Sequence, residues 1–143
     1  MLTAIEKVIF LQNVDVFSEV PTEYLAYLAG IAEEVEYDKD DVIYRQDDPS
    51  DAMFLVLDGG VRMHRGDQEI TVESSKDAFG IWALFDESPR VASATALEDC
   101  HLLRIDREDF VDLLADHVRI TQGVLKALAN HLRGLMQRVQ TGI

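Results

Sequence analysis

The chain has 143 residues, 27 acidic and 13 basic side chains, and a formal net charge of −14. That length predicts a single domain, with a core that hides roughly 70% of the surface its unfolded chain exposes. The charge excludes nucleic-acid binding by this chain alone, because phosphate contacts need clustered Lys and Arg. The absence of an 18-residue apolar run predicts no membrane partner, and no signal-type N-terminus is read. One cysteine, Cys100, excludes an internal disulfide and fits a reducing, cytoplasmic setting.

Leu2 to Gln12 reads as a helix, with Leu2, Ile5, Val8, Ile9 and Gln12 at helical spacing. A turn around Phe17 follows. Pro21 then starts a second helix, with Tyr24, Leu25, Leu28 and Ile31 on one side. From residue 31 to 105 the texture changes to short strand-like runs. These are Ala32–Tyr37, Val42–Tyr44, Met53–Leu57, Val61–Arg65, Glu69–Glu73, Val91–Ala96 and Cys100–Ile105, with Asp-, Gly- and Pro-rich turns between several of them. Many short strands with regular turns predict a roll or barrel. Asp106 is placed to cap a third helix, whose apolar side carries Phe110, Leu113 and Leu114. A longer helix starts near Val118. In it Leu125, Leu128, Leu132, Leu135 and Val139 recur at spacings of 3 and 4, a coiled-coil seam of about two heptads. The stripe either packs on its own domain or meets a second copy or partner, and Val124 and Met136 widen it. Residues 117–143 hold Arg119, Lys126, Arg133 and Arg138 and no carboxylate, which is either a solvated face or a docking face for something acidic.

The predicted class is therefore α+β, an antiparallel, jelly-roll-like β-roll flanked by helices. One domain spans 1–143, with helices in 1–30, the roll in 31–105 and helices again in 106–143. The richest chemistry lies in 79–94, Phe-Gly-Ile-Trp-Ala-Leu-Phe-Asp-Glu-Ser-Pro-Arg-Val-Ala-Ser-Ala. A Gly opens an apolar turn, a Pro-Arg pair follows, and a small-hydroxyl-small trio closes it. Gly80 permits close backbone approach, the N–H groups of the Ile81–Leu84 turn suit an anion, and Arg90 offers paired planar donors. The alternative for Arg90 is a structural ion pair with Asp86 or Glu87.

This segment resembles the phosphate-binding cassette of the cyclic-nucleotide-binding domain family, as in catabolite-activator regulators and regulatory subunits of cyclic-AMP-dependent kinases. The resemblance extends over roughly Phe17 to Arg133. Outside the cassette it rests on Asp48-Pro49-Ser50-Asp51, on Leu57-Asp58-Gly59, and on Leu103 to Phe110. It implies a ligand site made by Gly80, Ile81, Trp82, Ala83, Arg90, Val91 and Ser93, with Arg90 on the phosphate and the Ser93 hydroxyl near it. The implied ligand is cyclic AMP, cyclic GMP or another anionic nucleotide, and no cofactor is implied. The family motif has a Glu where this chain has Ile81. That Glu accepts from the ribose 2′-hydroxyl and helps orient the Arg, and Ile81 can do neither. A hydrogen bond to a charged group contributes about 1.5–3 kcal/mol, so cyclic AMP is expected to bind weakly or not at all. Trp82 is expected to fill either the sugar or base pocket or the core. Family glycines are also replaced, with Asp40-Asp41 for Gly-Glu, Asp47 for Gly, and Lys76 before Asp77.

Other classes fit less well. A cupin-type metal enzyme needs converging histidines, and His64, His101, His117 and His131 form no His-x-His pair. Cys100 and Ser93 lack a nucleophile–base motif; His101 adjoins Cys100, but strand neighbours face opposite sides. A helix-turn-helix regulator needs more residues than follow Val139, and the Leu2–Gln12 helix hints at a piece of something larger. The expectation is a regulatory domain that is not an enzyme, either a weak or altered nucleotide sensor or a ligand-free module. Dimerisation or docking is placed on the C-terminal helix.

Overall fold

A computed structural model describes residues 1–141. Helix α1 (Ala4–Leu11) is opened by a capping box in which Thr3 and Glu6 satisfy each other's backbone N–H. A 3-10 turn at Asp15–Phe17 leads to α2 (Thr22–Ile31), with Pro21 at the N-cap. The strands are β1 (Glu33–Tyr37), β2 (Val42–Tyr44), β3 (Ala52–Asp58), β4 (Val61–Arg65), β5 (Gln68–Glu73), β6 (Ala78–Phe79), β7 (Ser93–Ala96) and β8 (Cys100–Asp106). Helices α3 (Arg107–Asp116) and α4 (Val118–Thr141) close the described chain. The last two positions of the expected C-terminal helical region lie outside the described residues.

Two four-stranded antiparallel sheets, ordered β1-β8-β3-β6 and β2-β7-β4-β5, make the roll. The expected class holds, and β3 shows why its sequence is so apolar. Met53, Leu55 and Leu57 face the helices and join a core with Phe17, Leu25, Leu28 and Phe110. Ala52, Phe54 and Val56 face the second sheet and join Val61, Phe79, Ala94 and Leu102. A strand buried on both faces reads as one continuous hydrophobic run.

Some expectations need correction. The inward side of α1 carries Val8 and Leu11, while Ile5 and Ile9 are exposed. Two polar anchors set that rotation: Lys7 Nζ donates to Ala32 O at 2.7 Å, and the Leu2 N–H donates to Glu34 Oε2 at 3.0 Å. Asp106 is the N-cap residue of α3, yet its side chain makes no capping bond. It is drawn to Arg104, whose Nη2 lies 2.9 Å from Asp106 Oδ1. The strand expected from Val91 starts at Ser93, and the short strand β6 was not expected at all.

The three places where glycine is replaced share one backbone state. Asp40, Asp47 and Lys76 have φ of 73°, 71° and 78°, the left-handed region that non-glycine residues enter at a cost of about 1–2 kcal/mol. Each is pinned there by its own N–H. Asp40 donates to Ala96 O, Asp47 to Arg90 O and Lys76 to Val56 O, all at 2.8 Å. Glycine would remove the Cβ strain but add unfolded-chain entropy. Lys76→Gly is therefore expected to raise the unfolding free energy in urea by about 0.5–1 kcal/mol, and a lower midpoint would show that this turn is unstrained.

Candidate functional site

Gly80 begins the cassette in the left-handed region, with φ 68°, and caps a 3-10 turn over Ile81–Leu84. The chain then returns so that the backbone of Arg90 docks on the 45–48 turn. The Asp47 N–H donates to Arg90 O at 2.8 Å and the Arg90 N–H donates to Asp48 O at 2.9 Å. Asp47 is one of the three strained residues, so its strain is spent holding Arg90 in place.

The Arg90 side chain is only 5% exposed. Its Nη2 donates to Ala52 O at 2.7 Å, and its guanidinium lies 4.0 Å from the centre of the Tyr44 ring. Its nearest carboxylate, Asp51, is 3.8 Å away and 67% exposed, so it neutralises little of the charge. The Nε–H is buried without a partner. Burial pushes the Arg90 pKa below its ordinary value, while Tyr44 and Asp51 act the other way. The alternative pairing with Asp86 or Glu87 does not occur. Glu87 faces Arg107 at 4.0 Å, and the Asp86 side chain accepts the Ser88 N–H at 3.1 Å.

Arg90 lines a cavity of about 200 Å³ together with Gly80, Trp82, Ala83 and Val91, so five of the seven expected site residues meet. Two do not line it. Ile81 turns its side chain toward the helical core and a separate cavity of about 130 Å³ against Leu128 and His131 of α4. The Ser93 hydroxyl accepts the Gln46 N–H at 2.8 Å, tying β7 to the 45–48 turn. Trp82 fills neither core nor pocket; it is 62% exposed and borders both cavities. The cavity wall also includes Tyr44, Ser50 and Met63, which sequence reasoning missed as site residues. Tyr44 reaches it because β2 pairs with β7, setting Tyr44 opposite Ala94, and no local sequence signal reports that pairing.

Arg107, at the start of α3, joins the cassette to the C-terminal helices. Its Nη1 lies within donating distance of three carbonyls, Ser50 O at 2.7 Å, Asp86 O at 2.9 Å and Ala83 O at 3.0 Å. The α4 stripe divides between the domain's core and solvent. Ile120, Val124 and Ala127 are buried and Leu128 packs on the core, whereas Leu125, Leu132, Leu135, Met136 and Val139 are exposed. Val124 thus belongs to the domain's own packing. Lys126 of the basic segment pairs with Glu19 of the same chain at 3.1 Å. Cys100 is buried, which raises its thiol pKa, while His101 points away to Glu34 at 3.0 Å.

The chain is thus a β-roll with a glycine-led turn, a buried arginine and flanking helices. Residues 34–117 match the cyclic nucleotide-binding domain, and the chain belongs to that family. The cyclic AMP receptor protein of Thermus thermophilus is 38% identical over 96 residues, covering 64% of this chain and 44% of that protein. A CRP-like cAMP-activated global transcriptional regulator of Mycobacterium tuberculosis is 25% identical over 128 residues, covering 86% and 57%. The chain thus spans about half the length of these curated relatives. Among solved structures, the N-terminal domain of a transcriptional regulator from Streptomyces coelicolor superposes with a TM-score of 0.84 at 27% identity, over 91% of this chain and 94% of that one.

A Cβ on Gly80 would lie 2.7 Å from Arg90 Nη1, at a backbone angle that disfavours any side chain. Gly80→Ala is expected to lower the unfolding free energy by about 1–2 kcal/mol. A change below about 0.5 kcal/mol in a urea titration would mean that the guanidinium moves aside freely.

Proposed function

We propose that this chain is a regulatory domain whose cavity takes an anion at Arg90 and binds cyclic nucleotides weakly. The observation that carries this is the Arg90 guanidinium, buried with its Nε–H unpartnered and with one exposed carboxylate, Asp51, at 3.8 Å. A cation held out of water without full compensation is costly, and an anionic ligand supplies the compensation. The relatives' names support a nucleotide as that ligand and regulation, rather than catalysis, as the output.

Weak binding is supported by the wall itself. Position 81 offers no carboxylate to a sugar, and its side chain faces α4. The cavity of about 200 Å³ is smaller than the roughly 300–1,000 Å³ usual for small-molecule sites. Arg107 supplies a route for the response, since the carbonyls it gathers belong to the cassette and its neighbours while its backbone begins α3. The exposed stripe of α4 supports a second element of this reading, in which another copy of the chain packs on Leu125, Leu132, Leu135, Met136 and Val139.

Calorimetric titration is expected to give a cyclic AMP dissociation constant weaker than about 1 μM, and tighter binding would contradict the weak-sensor reading. Arg90→Met keeps the aliphatic stem and removes the buried charge. It is expected to melt no lower than the parent protein in low salt, where a fall of several degrees would show that the charge is already compensated. In sedimentation, Leu132→Asp is expected to turn a dimer into a monomer; an undiminished dimer would place the interface elsewhere.

A further inference from the structure

We infer that Tyr44 is the second ligand of the anion, donating its phenolic O–H beside Arg90, so that the site is built from donors on the cassette and on β2. This rests on the anion-site reading above and adds to it a residue outside the cassette.

Three observations converge on Tyr44. The first is position. The space left by the missing side chain of Gly80 is approached from two sides, since a Cβ there would lie 2.7 Å from Arg90 Nη1 and 3.5 Å from Tyr44 Oη. Both donor groups therefore face the same small volume above the cassette turn. The second is preorganisation. The Tyr44 ring lies under the Arg90 guanidinium and packs against Phe54 and Phe79, each with ring centroids 6.1 Å away, while those two stack at 5.3 Å. Arg90 and Tyr44 thus fix each other before any ligand arrives, which lowers the ordering cost of binding. The third is protonation. Burial pushes the Tyr44 pKa up, so the group remains a phenol and a donor at neutral pH.

The polar groups around this pair have other partners. The Ser50 hydroxyl donates to Ser88 O at 2.5 Å, Ala52 O accepts from Arg90, and Asp86 Oδ1 accepts the Ser88 N–H. Asp86, an exposed carboxylate, also lines this wall, and its Oδ1 is taken by the Ser88 N–H. The chemistry that fits is a compact oxyanion, such as a phosphodiester or phosphate group, read by its charge.

The probes are inorganic phosphate and, separately, cyclic AMP, titrated at constant ionic strength. Binding is followed by the Arg90 Nε–H resonance and by fluorescence of Trp82, the chain's one tryptophan, which borders the cavity. Tyr44→Phe keeps the ring under Arg90 and removes only the O–H. It is expected to weaken phosphate binding about tenfold or more while leaving the ligand-free Nε–H resonance and the melting temperature in place. Phosphate affinity within about twofold of the parent protein in Tyr44→Phe, with loss in Arg90→Met, overturns the role of Tyr44 and leaves the anion site standing. Phosphate that fails to bind the parent protein, or binds Arg90→Met equally well, overturns both. Tyr44-dependent phosphate binding with no response to cyclic AMP supports the inference and removes the nucleotide reading.

Discussion

The burial of one positive charge organises this molecule. Arg90 sits between the two sheets, over an aromatic ring and under a glycine, with one carbonyl accepting from it and one guanidinium N–H unpartnered. Removing a cation from water without a close counter-charge is unfavourable, so the surroundings must hold it there. They do so through the backbone rather than through a carboxylate. The hydrogen bonds between the 47–48 turn and Arg90 fix where its side chain starts, and Tyr44 fixes where it ends.

The scaffold accepts strain to achieve this. Left-handed turns at Asp40, Asp47 and Lys76 would suit glycine, and each survives with a side chain because its N–H reaches a carbonyl across the roll. A hydrogen bond of that kind contributes about 0.5–1.5 kcal/mol, similar in size to the strain. The turns are thus close to balanced, and they hold a left-handed geometry without glycine.

That balance explains what was legible in the chain. Strand positions followed from apolar runs and turn residues, because β3 and β8 must fill both faces of a sheet. The cassette was readable because Gly80 and Arg90 are chemically unusual at those places. Tyr44's place in the cavity wall is hidden, since it depends on the pairing of β2 with β7, about a third of the chain away in sequence. The inward face of α1 is not legible from its isoleucines, because Lys7 and the Leu2 N–H set its rotation. Trp82 fails the other way: its size suggests burial, but the turn leaves it exposed. The side chain at position 81 was recognised as unable to read a sugar, while its actual contact with α4 required the fold.

One crossing gives the long helix a mechanical property. At Gly123, α4 comes so close to the segment before α2 that a Cβ would lie 2.8 Å from Glu19 O and 2.9 Å from Val20 Cα. The helix rests there on backbone, with no side chain between to cushion the contact. From Gly123 to Thr141 the arm is about 27 Å long at 1.5 Å per residue. A tilt of about 5° at this fulcrum would swing its end by about 2 Å. Ile81 and Trp82 border the cavity beside Ala127 and Leu128, only four or five residues beyond the fulcrum. A small displacement at the cassette would therefore act on the arm close to its fulcrum and emerge enlarged at the apolar end of α4.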